Sequence, residues 1–325
     1  MYRRNFLFRQ YPDSCFTAGK PFTIEVPRPG KYKVTVTLKT ETPLERVSIR
    51  TGSGNVAFMG SISAGVSRQT AIVNVGNSIS HDRNRICQDR AITVTVTAKA
   101  DCLNGLSVSE MSCPTIYIAG STHDAIEPAF ENTAETARTG QSLSHIPEDT
   151  YIRWEQMLTA YTDHKIAVSD HCRSGLTMES FRKEGHYAAI NEYSRPGDFC
   201  FFQFDPTGQS IEDWKSGGNC RRQLARYIIE CRDRLVYPVL FTPVACSNEK
   251  SSDDYGGQLW EQCLDAYREV SKMTATPVIE LHKLSVTSYD AYVMAGSVAQ
   301  EIARICKSYP ERSYRFLAKC MSVSC

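Results

Sequence analysis

Four short apolar runs in the carboxyl-terminal two thirds of the chain each give way to small and polar residues that could do chemistry. Ala119-Gly120-Ser121-Thr122 ends the first, and Asp170-His171-Cys172-Arg173-Ser174-Gly175-Leu176-Thr177 follows the second. Gln203-Phe204-Asp205-Pro206-Thr207-Gly208-Gln209 comes after the third and Thr242-Pro243-Val244-Ala245 after the fourth. A hydroxyl such as Ser121 or Thr122 is a candidate nucleophile when a base can take its proton. The same residues can instead serve structure, the hydroxyls as helix caps and Gly120 and Gly175 as turn formers. His123 and Asp124 stand beside the hydroxyls, but adjacent residues on a helix do not face each other. His164, His171 and His186 read as surface or supporting histidines rather than bases.

Thirteen cysteines are scattered from Cys15 to Cys325, an odd number with no C-x-x-C pair. That pattern suits reduced thiols used as small buried hydrophobes. Neither a metal site nor a cofactor is expected.

The elements that must position these residues change character along the chain. Up to about residue 110 the pattern is all strand: in KYKVTVTL, Tyr32, Val34, Val36 and Leu38 share one face, and Ile92, Val94 and Val96 repeat the alternation. PRPGK and RTGSGN punctuate it. An antiparallel β-sandwich is expected. From Thr115 onward, continuous apolar runs alternate with amphipathic stretches such as IEDWKSGGNCRRQLARYIIECRDR, where Leu224, Tyr227, Ile228 and Cys231 share a face. Buried strands with helical crossovers predict a doubly wound parallel α/β sheet, whose ligand site lies beyond the carboxyl ends of its strands. The expected division is a β-sandwich over 1–110 and an α/β unit over 111–325.

The strand-end blocks carry a specific resemblance. GKYKVTVTL, PTIYIAGST, SGLTMESFRKEGHY, RPGDFCFFQF, PVLFTPVA, TPVIELHKLS and AYVMAGSVAQEIARI follow one another in an order similar to the rhamnogalacturonan acetylesterase family of SGNH (GDSL-like) hydrolases. Members with an amino-terminal, galactose-binding-like β-sandwich resemble it over most of its length, from about Lys31. The resemblance implies a flavodoxin-like SGNH fold and carbohydrate ester hydrolysis. It also implies a serine nucleophile in an A-G-D-S-T turn and an oxyanion hole of serine N–H, glycine N–H and an asparagine side chain. A D-x-x-H pair near the carboxyl terminus would supply the base.

This chain departs from that pattern at most positions. AGDST has become AGST, so that Ser121 or Thr122 can be matched to the nucleophile and the acidic neighbour is missing. Gly175 matches the oxyanion glycine. The G-H-N-D block reads Asp205-Pro206-Thr207-Gly208, which puts Thr207 in place of the asparagine donor and a negative charge at Asp205 beside the oxyanion position. Between TPVIELHKLS and AYVMAGSVAQEI only VTSYD remains where the family carries its D-x-x-H loop, and the sole histidine after His186 is His282. A site missing two members of its triad keeps at most about 10³ to 10⁴ of acceleration over water.

Bulk properties narrow the partners. A formal net charge of +1 with interleaved signs gives no field for nucleic acid. No apolar run approaches the ~20 residues of a membrane span, and MYRRNFLFRQ lacks the apolar core of a signal peptide. A cytosolic address is therefore expected, where pectin is out of reach. The fold then reads as a pseudoenzyme reused as a structural or scaffolding subunit, with a cytoskeletal or axonemal assembly suiting it. The Arg- and aromatic-rich ends MYRRNFLFRQ and SYRFLAKCMSVSC are expected protein-binding anchors. Two alternatives stand beside this reading: a residual acetylesterase acting through Ser121, and a carbohydrate-binding protein that kept the groove without the chemistry.

Overall fold

Strict alternation in strand Gly30–Thr40 sends Tyr32, Val34, Val36 and Leu38 into a core while Lys33 stays in solvent. The computed structural model describes residues 8–12, 20–52, 54–79, 86–88, 90–122, 127–128, 151–245, 254–287 and 290–321. Gly30–Thr40 pairs antiparallel with Gly65–Val75 on one side and Leu103–Met111 on the other, and Phe8–Pro12 adds to the latter. A second antiparallel sheet runs in the order Phe22–Glu25, Ala91–Thr97, Leu44–Thr51, Asn55–Ile62. Inward residues of both sheets, among them Val34, Val36, Val47, Ile49, Ile92 and Val108, form one apolar cluster.

The first of these sheets does not stop near residue 110. Val73 pairs in parallel with Val168, so Gly65–Val75 leads directly into Ala167–Asp170 and this first sheet continues into a parallel half, giving ten strands among the described residues while the second sheet stays separate. Beyond that junction the order is Ala167–Asp170, Thr115–Thr122, Phe199–Gln203, Tyr237–Phe241, Val278–Ile279, all parallel. Counted along the chain this is the 2-1-3-4-5 order of a doubly wound sheet.

Both faces of this half are covered, which is why its strands are continuous apolar runs. Phe199–Gln203 is buried at every residue. Phe199 and Phe201 pack on the side of helices Ala291–Cys306 and Arg312–Cys320. Cys200, Phe202 and Phe204 pack on the side of Asn219–Asp233 and Asp254–Thr274. Leu224, Tyr227, Ile228 and Cys231 are buried on Asn219–Asp233 as their spacing predicts. The amphipathic stretch before them is not one helix, however. It breaks between Ile211–Trp214 and Asn219–Asp233 at Gly217, whose φ is +75°, and Gly218, where a Cβ would sit 2.3 Å from the Asp213 carbonyl oxygen. Nine described cysteines are free thiols and only Cys113 among them is more than marginally accessible.

Candidate functional site

The 2-1-3 arrangement puts the topological switch point between Thr115–Thr122 and Phe199–Gln203, the place where such sheets bind ligands. Gly120 is paired with Gln203 there, and a Cβ on Gly120 would lie 1.6 Å from the Gln203 carbonyl oxygen. Gly120 is therefore demanded by the approach of two backbones rather than by a positive φ. One residue on, Ser121 is 1% exposed. Its hydroxyl donates to Asp205 Oδ2 and accepts the Asp205 backbone N–H at 2.8 Å. Ser121 thus ties the exits of two parallel strands together.

Asp205, 5% exposed, uses both carboxylate oxygens: Oδ1 accepts the Thr207 N–H at 2.8 Å, closing a tight turn over Pro206. Thr207 itself is exposed on that turn. Below it, Tyr267 fixes the strand end, receiving the Phe204 N–H at 2.7 Å and donating to the Phe204 carbonyl at 3.1 Å. Gly175 follows the short strand Arg173–Ser174, which pairs in parallel with Ser121 and Thr122. Its φ of +73° requires glycine even though nothing lies within 4 Å of an added Cβ. Ser121, Gly175 and Thr207 are thus gathered at one edge of the sheet by the three strands that precede them. The Thr122 side chain, His123 and Asp124 lie outside the described residues.

No described histidine reaches the serine, whose hydroxyl makes both its hydrogen bonds with Asp205. His171 is buried with Nε2 3.0 Å from Ser169 Oγ; burial, then the Arg173 charge, pushes its pKa down to about 3. His186 is buried against Phe181 in a stack of 5.2 Å. His164 sits in a left-handed turn at φ +52°, its pKa lowered by burial. His282 opens helix Leu281–Thr287 next to Trp260, with its N–H on Thr242 Oγ1 at 3.0 Å.

A second charged group lies under the Asp170 strand end. Arg153 Nη2 is 2.5 Å from Asp170 Oδ2, and Asp170 Oδ1 accepts the Cys172 N–H at 2.9 Å. Burial alone would raise the Asp170 pKa, but Arg153 and Arg173 hold it below the usual range. Glu155 is pushed up to about 7 by burial, with Arg153 opposing and Asp170 adding to the rise. Sequence spacing gave no sign of this cluster, since Arg153 and Asp170 stand in different elements. Asp205 as the partner of Ser121 was equally hidden, although the parallel register of Gly120 with Gln203 would have revealed it.

Among the described residues no group of three or more His, Cys, Asp or Glu could hold a metal ion. A half-open cavity of about 420 Å³ lies between helices Ile211–Trp214 and Asp254–Thr274. Tyr255, Gln258, Glu261 and Glu212 line it, and Ser121, Gly175 and Thr207 do not.

No family model matches the chain. Over 143 residues it is 27% identical to the rhamnogalacturonan acetylesterase RhgT of Bacillus subtilis, a stretch covering 43% of this chain and 60% of that protein. The chain therefore spans less than two thirds of that relative's length. Among solved structures it is similar to the protein YxiM of Bacillus subtilis, at 17% identity and a TM-score of 0.44 over 91% of this chain and 88% of that one. A catalytic mutant of the acetylxylan esterase Axe2 of Geobacillus stearothermophilus is similar at 12% identity and a TM-score of 0.40, over 58% of this chain and 94% of that one.

Proposed function

We propose that this chain, SGNH/GDSL hydrolase-like by its similarity to RhgT, is a catalytically degenerate esterase-like protein that serves as a structural subunit of a larger cytosolic assembly. The observation that carries the loss of activity is the state of Ser121. A working nucleophile is open to its acyl substrate and hydrogen-bonded to a base that is itself oriented. Ser121 is buried, and its proton is held by Asp205, whose other oxygen is committed to the Thr207 turn. The carboxylate also occupies the neighbourhood where an oxyanion would need donors. Thr207 and Gly175 are, in this reading, remnants of the oxyanion hole.

Hydrolysis of p-nitrophenyl acetate tests it. The wild-type chain and Ser121→Ala should turn over at the same background rate, and turnover that Ser121→Ala abolishes would refute the pseudoenzyme.

One observation favours a second reading, a residual carbohydrate acetylesterase: the Ser121 hydroxyl does contact a carboxylate that could accept its proton. Under that reading Asp205→Asn and Ser121→Ala remove the activity together. The polar cavity beside Tyr255 favours a third, retention of carbohydrate without turnover. Binding of acetylated oligosaccharides that are recovered intact would support it.

The setting of the assembly rests on the free thiols, which suit a reducing compartment, and a cytoskeletal or axonemal structure is the kind of assembly proposed. No described helix is long and apolar enough to cross a membrane. Of the two arms expected to anchor partners, residues 1–7 and 322–325 lie outside the described residues. The division into a galactose-binding-like sandwich over 1–110 and an SGNH-like unit over 111–325 belongs to the same proposal.

A further inference from the structure

Helix Arg312–Cys320 closes the end of the parallel sheet opposite Ser121. Its Tyr314 hydroxyl donates to the Pro238 carbonyl at 2.7 Å, at the start of strand Tyr237–Phe241. Tyr237 and Tyr309 pack edge-on against the Tyr314 ring at 5.4 and 5.3 Å. Tyr314, Leu317 and Cys320 are buried, so the apolar stripe of this helix is committed to the core.

The opposite face is cationic. Arg312, Arg315 and Lys319 are exposed around Phe316, itself 37% exposed, and the helix contains no acidic residue. None of the three cations has an ion-pair or side-chain hydrogen-bond partner among the described residues. By contrast, exposed Arg226 is paired with Glu230 and exposed Arg304 with Glu301. Close to the helix, the exposed carboxylate of Glu311 stands at its N-cap one turn before Arg315, and beside Cys320, Asp163 is already paired with Lys165, so the face keeps an excess of positive charge.

We propose that this face is the docking site for an acidic segment of a partner protein, with Phe316 as its apolar anchor. The proposal deepens the structural-subunit reading and takes its setting from it. Positions 312, 315 and 319 span about 10 Å of helix, the length of ~3 residues of extended chain, so a short run of carboxylates can meet all three. Complementary charge around a single aromatic anchor is an arrangement that selects and orients a partner. A bilayer would need the apolar face that the core already holds. Three cations on a chain of net charge +1 are too few to follow a nucleic acid backbone.

Fluorescence anisotropy of a labelled octaglutamate peptide, titrated with the full chain at low and moderate salt, tests the site. Saturable binding that weakens with salt is expected. Combined R312E, R315E and K319E should weaken it at least ~10-fold, and F316A about threefold. A control of equal charge change, K20E with K39E and K99E on the antiparallel half, should leave it unchanged. Equal loss in the control would overturn the proposal. So would binding of phosphatidylserine vesicles or a single-stranded oligonucleotide, lost in the helix variant, in the absence of peptide binding. Thermal unfolding of each variant confirms that it is folded, since every substituted side chain is exposed. Ester hydrolysis is read on the same preparations, so that turnover would sink the pseudoenzyme reading while leaving the docking result standing.

Discussion

At the residue scale, three positions decide how the carboxyl ends of strands Thr115–Thr122 and Phe199–Gln203 are held together. Gly120 permits the close approach, Ser121 bridges it, and Asp205 holds both the serine and the Thr207 turn. Asp205→Ala strips the partner from a buried hydroxyl and from a backbone N–H, and should cost about 2 to 3 kcal/mol. Ser121→Ala takes one buried hydroxyl donor from Asp205 Oδ2 and should cost about 1 to 2 kcal/mol. Gly120→Ala should exceed both, at ~3 kcal/mol or more, because the Cβ collides with backbone that cannot rotate away. Urea unfolding ranks the three, and a neutral Asp205→Ala would show that the contact of Asp205 with Ser121 and the Thr207 turn is not a structural clamp. Gly120, Ser121 and Gly175 were legible in the sequence because a strand exit marks itself by the end of an apolar run. Asp205 was legible only as a departure from a family pattern; its partner depends on which strands are neighbours and in what register.

At the element scale, the short helix Trp154–Met157 places a carboxyl where water does not reach it, beside the Asp170 strand end. Glu155 titrates near 7 instead of the ordinary 4.5, so between those values the unfolded chain gives up its proton first. The stability linked to Glu155 is present below pH 4.5 and is lost as pH rises through about 7. His171 acts in the other sense: with its pKa down at about 3, its contribution is present above pH 6.5 and is lost as pH falls through 3. Glu155→Gln removes the first dependence and leaves the second. Unfolding free energies measured from pH 4.5 to 8 should therefore rise with pH in this variant relative to wild type, and parallel curves would contradict the burial-driven shift. The elements themselves were largely readable, since alternation and continuous apolar runs are direct images of one-sided and two-sided burial. The break at Gly217 and Gly218 was not, because amphipathic periodicity on both sides of it masks a turn that only the Asp213 carbonyl contact explains.

At the scale of the whole molecule, the change of pattern near residue 110 marks a change in strand pairing, not the end of a sheet. Gly65–Val75 and Ala167–Asp170 are joined at Val73 and Val168, and Asn55 Nδ2 donates to the Val168 carbonyl at 3.0 Å across that junction. Asn74 adds a contact to Ser169 Oγ at 3.3 Å. Val56, from the antiparallel half, is buried in the same cluster as Trp154, Met157 and Ala299 of the α/β half. Two halves that share a sheet and part of a core stabilise each other, since either one folded alone would expose apolar surface and unpaired backbone groups. Calorimetry of the full chain should accordingly give one transition with matching calorimetric and van't Hoff enthalpies. Asn55→Ala, which leaves the Val168 carbonyl without its buried donor, should lower that single transition by about 1 to 3 kcal/mol of stability without splitting it. Two resolved transitions in the wild type would mean that the halves fold separately and that the shared sheet does not couple them. Coupling of this kind bears on the proposed role, because a partner held at Arg312–Cys320 could then pull against the whole fold rather than against one half of it.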